Sequence, residues 1–245
     1  AAWGDHQTSL TAVLNAMEST SSEPQKFLEA VEHRNLGFSM RGTYGFKDRY
    51  FVEASFGYNG SERFAKKHKM GFFPAAGVAY VISSEPFMAG AANWLPYLKF
   101  RASYGKVGND GIINTPRFVH LPEVLATSVR SLQPGQQDAK AWTVRNYADE
   151  NIKWEIAEQV NFGLEAKMFK GIMEFTLDAY QEIRHNILSY RTVIPAHVGI
   201  ESKQLDNIGK VRSRGLDFSG KIQHAFSPDL WIILNGTFTY NKAVY

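Results

Sequence analysis

An all-β fold, and within it an antiparallel transmembrane β-barrel to which this chain supplies about eight strands, is predicted by three observations. Runs of alternating apolar and polar residues recur along the 245 residues, each close to the roughly ten residues that a tilted membrane strand needs. The connections between these runs alternate between short and long. Aromatic residues make up 13% of the chain, with 17 Phe, 11 Tyr and 5 Trp, and gather near the ends of the runs.

Residues 1–33 are expected to form a loop or short helix leading into the barrel, because "EPQKFLEAVEH" places Phe27, Leu28 and Val31 at helical spacing. Residues 34–245 carry the barrel pattern, with runs over 36–46, 50–59, 72–82, 97–107, 158–168, 173–188, 209–225 and 230–241. Three alternate cleanly. Leu36, Phe38, Met40, Tyr44 and Phe46 oppose Gly37, Ser39, Arg41 and Thr43; Val160, Phe162, Leu164, Ala166 and Met168 oppose Asn161, Gly163, Glu165 and Lys167; Leu230, Ile232, Leu234, Phe238 and Tyr240 oppose Asn235, Thr237 and Thr239. The run "FFPAAGVAYVI" is apolar on both faces and carries the weakest signal.

The turns "KDR", "KG" and "SPD" have the chemistry of tight hairpins. The connection over 83–96 is also on the short side and predicts a short helix. The long connections span 60–71, 108–157 and 189–208, and structureless loops above about 15 residues are uncommon inside a compact soluble domain. Short turns at one end and long loops at the other mark an outer-membrane barrel.

The charge pattern agrees. In "LKFRASYGKVGND", Leu98, Phe100, Ala102 and Tyr104 suit lipid, while Lys99 and Arg101 suit a wet lumen. Phe46, Tyr50, Trp94, Tyr97, Phe169, Phe226 and Trp231 would form the turn-side aromatic girdle, and Tyr58, Phe72, Tyr104 and Tyr240 the other. A soluble β-sandwich also alternates and carries corner aromatics, so pattern alone leaves that alternative open. No run of about 18 apolar residues exists to make a spanning helix. A net charge of +3 and 21% charged residues imply no particular partner, and the absence of Cys excludes disulfides and thiolate metal sites.

The stretches "RGTYGFKDRYFVEASFGYNGSERF", "GFFPAAGVAYVISSEPFM", "NWLPYLKFRASYGKVGN", "IKWEIAEQVNFGLEAKMFKGIMEFTLDAYQ" and "NIGKVRSRGLDFSGKI" resemble consecutive blocks of SusC/RagA-type TonB-dependent outer-membrane transporters of Bacteroidetes. The resemblance implies a barrel of about 22 strands with a plugged lumen, of which this chain is a segment from the C-terminal half; plug, TonB box and remaining strands would lie outside it. It further implies location in the bacterial outer membrane and energy-coupled import of large nutrients, mainly oligosaccharides and in some members peptides. The implied partners are a SusD-like surface lipoprotein and the TonB-ExbB-ExbD complex. A non-transporting barrel or adhesin, or a soluble glycan-binding sandwich, are the rival classes.

Other chemistry is poorly represented. "GKVGNDG" follows a strand without opening a helix and lacks a P-loop's Gly-Lys-Ser/Thr, so it reads as a turn. The seven His show no His-Glu-x-x-His spacing, and no Gly-x-Ser-x-Gly elbow occurs. Neither enzyme, metal, cofactor nor nucleic-acid partner is expected. Two features invite a functional reading beside ordinary loop packing. "RFAKKHK" puts Arg63, Lys66, Lys67 and Lys69 on a loop tip, either as a solvated charged loop or as contacts to lipopolysaccharide phosphates. Trp142, Tyr147 and Trp154 stand among polar residues in the longest loop, as candidates to stack on a ligand or pack against a partner.

Overall fold

The computed structural model describes residues 2–20, 32–111, 118–129, 139–191, 204–227 and 229–245. Its main body is a ten-stranded antiparallel sheet in meander order. The strands are β1 (Ala2–Trp3), β2 (His6–Ser19), β3 (His33–Phe46), β4 (Tyr50–Ser61), β5 (Met70–Val81) and β6 (Tyr97–Asn109). After the hairpin β7 (Glu123–Val129) and β8 (Ala139–Asn146), which forms a separate two-stranded sheet, come β9 (Glu155–Met168), β10 (Met173–Tyr190), β11 (Leu205–Ser227) and β12 (Leu230–Val244). β6 pairs directly with β9, so the β7–β8 hairpin grows out of one long connection.

All eight expected runs are strands. Two strand regions, β1–β2 and β7–β8, lie outside the expected runs. Residues 6–19 form β2, paired with β3 from His6↔Phe46 to Ser19↔His33, where a loop or short helix was predicted. Alternation is blurred there, because Val13 and Met17 fall on the side of Gln7, Ser9 and Asn15, opposite Leu10 and Leu14; pairing with a cleanly alternating neighbour settles the strand. The helical reading over 23–33 falls almost wholly on residues outside those described. The second addition is β7–β8 within 108–157. The expected short helix over 83–96 consists of two 3-10 segments, Ile82–Ser84 and Pro86–Ala91.

Register fixes the faces, since side chains directly opposite in a ladder share a side. One rung runs Phe100↔Leu164↔Leu177↔Phe218↔Phe238, and another Met168↔Met173↔Ile222↔Leu234. The opposite side carries Lys99↔Glu165 and Gly163↔Asp178↔Asp217. That polar side is the concave one, enclosing a hollow of about 1130 Å³ lined among others by Thr43, Glu53, Arg101, Ser103 and Asn161. A sheet with a charged concave face and an apolar convex face is the wall of a barrel with a wet interior. By the same register Tyr97, opposite Lys167, and Trp231, opposite Ala225, stand on the inner side, so they do not belong to the outer girdle.

The three-residue connection Lys47–Arg49 is closed by the Arg49 N–H donating to the Phe46 carbonyl at 3.0 Å, with Lys47 and Asp48 at φ +53° and +52°, the left-handed pair that matches strand twist. Close by, the Tyr50 hydroxyl donates to Glu85 at 2.6 Å and Arg49 lies 3.3 Å away. These two contacts, the hydrogen bond first, hold the Glu85 carboxyl below its usual pKa. The run that was apolar on both faces is β5. Its Pro74, which has no N–H to donate, sits where pairing with β6 stops, the first rung being Ala75↔Gly105.

Candidate functional site

Two features of the sheet are built for more than closure: an ionic ladder on the concave wall and a small core that ties the long loops together. The ladder is assembled by register. Lys99 and Arg101 on β6 alternate inward, and β9 and β10 bring Glu165 and Asp178 beside them. Arg101 Nη2 donates to Asp178 Oδ2 at 2.7 Å, and Lys99 Nζ lies 3.8 Å from Glu165. Arg101 Nε lies 3.1 Å from Glu165 Oε1 but is not aligned to donate to it. Gly163 makes the room, because a Cβ there would stand 2.5 Å from Arg101 Nε.

Asp217 completes the row directly opposite Asp178, and each has an Oδ1 that is buried without a hydrogen-bond partner. Arg101 reaches Asp178, and the two facing carboxylates are left with buried acceptor capacity that nothing in the wall fills. Replacing Arg101 by Ala is therefore expected to weaken the β9–β10–β11 wall by about 1–2 kcal/mol, the range for an ionic hydrogen bond half open to water. Urea titration of the heat-modifiable form checks this. The Arg101→Ala/Asp178→Asn pair should recover most of the loss, and equal destabilisation by Lys99→Ala would sink the assigned role of Arg101.

At the loop end, Phe64, Val119, Ile152, Trp154 and Leu205 form a buried cluster, with Phe73, Ile156 and Leu188 packed against it. These residues come from the bases of all three long connections. The Trp154 ring centroid lies 5.2 Å from those of Phe64 and of Phe73, and its Nε1–H donates to the His68 carbonyl at 3.1 Å. Polar ties surround the cluster: Lys67 Nζ donates to Asn151 Oδ1 at 2.9 Å, and the Asn207 amide donates to the carbonyls of Lys153 and Asn186 at 2.9 and 2.6 Å.

The predicted site residues separate on this geometry. Trp154 is 8% exposed and serves the core, which corrects its candidacy as a ligand-stacking ring. Burial of its whole indole against Phe64 and Phe73 leaves no free face. Trp142, on β8, is 73% exposed and keeps both ring and N–H available, while Tyr147 is half-buried just after that strand. The structure does not gather the three. Lys66, Lys67 and Lys69 are exposed and Arg63 half-buried on the loop between β4 and β5, with the middle of that loop held by Lys67 and His68 as above. Asp178 and Asp217 are residues that sequence reading missed as a pair; their inward parity was visible, but not their common rung.

Comparison with known proteins places this geometry. The family described as TonB dependent receptor-like, beta-barrel, matches residues 4–245. TonB-dependent receptor P3 of Formosa agariphila is 28% identical over 91% of this chain and 21% of its own length. TonB-dependent receptor SusC of Bacteroides thetaiotaomicron is 25% identical over 86% of the chain and 21% of its own length. In structure, the chain is similar to the RagAB peptide transporter, with a TM-score of 0.74 and 25% identity over 87% of this chain and 22% of the other. The chain thus spans about a fifth of the length of the curated relatives it matches. With the strand order, the facing and the match over 4–245 in agreement, the chain belongs to the TonB-dependent receptor-like β-barrel family.

Proposed function

We propose that this chain forms part of the wall of an outer-membrane, TonB-dependent active importer of large nutrients, oligosaccharides or peptides, which works with a SusD-like surface lipoprotein. The observation that carries the reading is the charged concave face set back to back with an apolar convex face and capped at one end by interlocked long loops. A membrane-spanning wall needs the second face, a solute path the first, and a surface partner the third. The likeness to the TonB-dependent receptor SusC supports the energy-coupled mode, and that to the RagAB peptide transporter supports peptides as one of the two substrate classes. Energy would enter through TonB-ExbB-ExbD acting on a plug within the barrel. Trp142 and Tyr147, on and beside the β7–β8 hairpin, are the proposed contacts to ligand or lid.

The test is uptake by cells that make the whole protein. A fluorescent oligosaccharide or a fluorescent oligopeptide should enter, and entry should stop on deletion of the gene or on addition of a protonophore. Entry that survives the protonophore would indicate a passive pore, and surface binding without entry an adhesin. Orientation is checked separately with single Cys substitutions, since the chain has no Cys of its own. A membrane-impermeant thiol reagent on intact cells should label Trp142→Cys and spare Lys170→Cys, because long loops lie outside and short turns in the periplasm. The reverse pattern would remove the hairpin from any role at the surface.

A further inference from the structure

We infer that the loop ends of β5 and β6 form a seam at which the barrel wall parts, and that Phe73 and Trp154 are the wedge that keeps it shut. Parting widens the mouth for a large solute. That use rests on the importer reading; the seam itself does not.

The two strands pair only from Ala75↔Gly105 to Val81↔Lys99. Beyond Ala75 each keeps its other neighbour, β5 holding to β4 as far as Gly60↔Met70 and β6 to β9 as far as Asn109↔Glu155. Residues 70–74 and 106–109 therefore continue as strand with no rung between them. Among the described residues, the other ladders from β3 to β11 run on to the loop ends of their strands, as at Asn35↔Ser61 and Tyr190↔Leu205. The break lies inside the wall, between two strands that each have both neighbours in place. Its height is marked by Phe72 and Tyr104, which stand on the convex side, in step with Val78 and Phe100, at the loop end of the apolar belt. Backbone within hydrocarbon has to be paired, as Ala75 to Val81 are, whereas above the belt water can replace a rung.

What joins the strands beyond Ala75 is aromatic. A Cβ on Gly71 or on Gly108 would collide with Phe73 Cζ, so the Phe73 ring spans from its own strand to β6 over two glycines that alone leave it room. Trp154 backs this ring, with the centroids 5.2 Å apart and the planes at 66°, and its indole N–H donates to the His68 carbonyl at 3.1 Å. Phe64 closes the stack 5.2 Å from the Trp154 centroid. Ladder hydrogen bonds fix two strands at one spacing, whereas apolar contact is non-directional and yields when a neighbour shifts. Trp154 stands just ahead of β9 and His68 just ahead of β5. Movement of the long connections that carry them therefore reaches the wedge directly.

The test uses the whole protein that carries this chain, assembled in nanodiscs and followed by amide hydrogen exchange. The controls are residues 58–60 and 156–158, which lie at the same height with rungs on both sides. Amides of 70–73 and 106–109 that face the seam should exchange more than about tenfold faster than the controls, because an amide without a strand partner opens at almost no cost. Equal protection overturns the seam, and that comparison needs no variant. Phe73→Ala should carry the fast exchange down through Ala75↔Gly105 with heat-modifiability unchanged; an unaltered pattern would remove Phe73 as the wedge. The use of the seam is read in cells with Phe72→Cys/Lys106→Cys, joined across the break by a short reducible bis-thiol reagent. Val78→Cys/Ala102→Cys, a directly opposite pair in the intact ladder, is the control. Joining the first pair should lower entry of the longer members of a series of fluorescent oligosaccharides or oligopeptides and spare the shortest, with recovery on reduction, and joining the second should change nothing. Entry of every length unaltered by the first bridge would overturn the widening of the mouth. If the unbridged protein admits no oligomer at all, the importer reading falls, and exchange alone still decides the seam.

Discussion

Replacing Leu164 by Arg is expected to block assembly of the barrel. Leu164 sits in the outer rung Phe100↔Leu164↔Leu177↔Phe218↔Phe238, midway along the apolar series of β9 from Val160 to Met168. A guanidinium on the lipid face near mid-bilayer costs about 2–4 kcal/mol, a large share of the 5–15 or so kcal/mol that holds a typical domain folded. Leu234→Arg should do the same, since Leu234 lies at the middle of the apolar series on β12. Asn235→Arg, one residue further on, points to the concave side opposite Lys221 and should assemble as the parent does. The difference isolates facing from mere substitution. Heat-modifiability on a denaturing gel reads it out, and equal assembly of all three variants would overturn the assignment of the faces.

That prediction was available from the alternation of residues 160–168 and 230–240 alone, and it shows why most of this fold is legible in sequence. Where one face meets hydrocarbon and the other water, period-two patterning is enforced along the whole strand, and β3, β9 and β12 display it. Legibility fails where that contrast fades. β2 has Val13 and Met17 on its inner side, β5 is apolar on both, and β7–β8 form outside the main sheet, where only local pairing shapes them. Strand stagger is not written in any one run either. Parity, by contrast, can be read within a run, and it turns Tyr97, in step with Lys99 and Arg101, and Trp231, in step with Asn235, inward although each lies among residues of girdle type.

The site was less legible than the fold for a related reason. A tryptophan among polar neighbours has the same sequence signature whether it waits for a ligand or plugs the base of a loop, and Trp142 and Trp154 divide on that point. What separates them is the arrival of Phe64, Val119 and Leu205 from distant connections. The Asp178–Asp217 pair likewise needs register between strands. Each residue's parity can be read alone; their neighbours cannot.

The second large effect is expected at that loop base. Trp154→Ala removes a ring packed on Phe64 and Phe73 and a hydrogen bond to the His68 carbonyl, and buried Trp-to-Ala changes cost about 3–5 kcal/mol. The loss falls outside the apolar belt, so the barrel should still assemble while the connections it clasps open locally. Gly108→Leu should reproduce the effect by a different route, because a Cβ at 108 would collide with the Phe73 ring. Arg63, Lys66, Lys67 and Lys69 then become the reporters. In the parent protein the loop that carries them is tied to Asn151 and to Trp154, and trypsin added to intact cells should cut it slowly. In either variant cutting there should be much faster, with heat-modifiability unchanged. Trp142→Ala, which removes an exposed ring, should leave the cutting rate alone and lower uptake or lid docking instead. If Trp154→Ala impaired uptake without any gain in cutting, while Trp142→Ala did nothing, the two tryptophans would have to exchange the roles given them here.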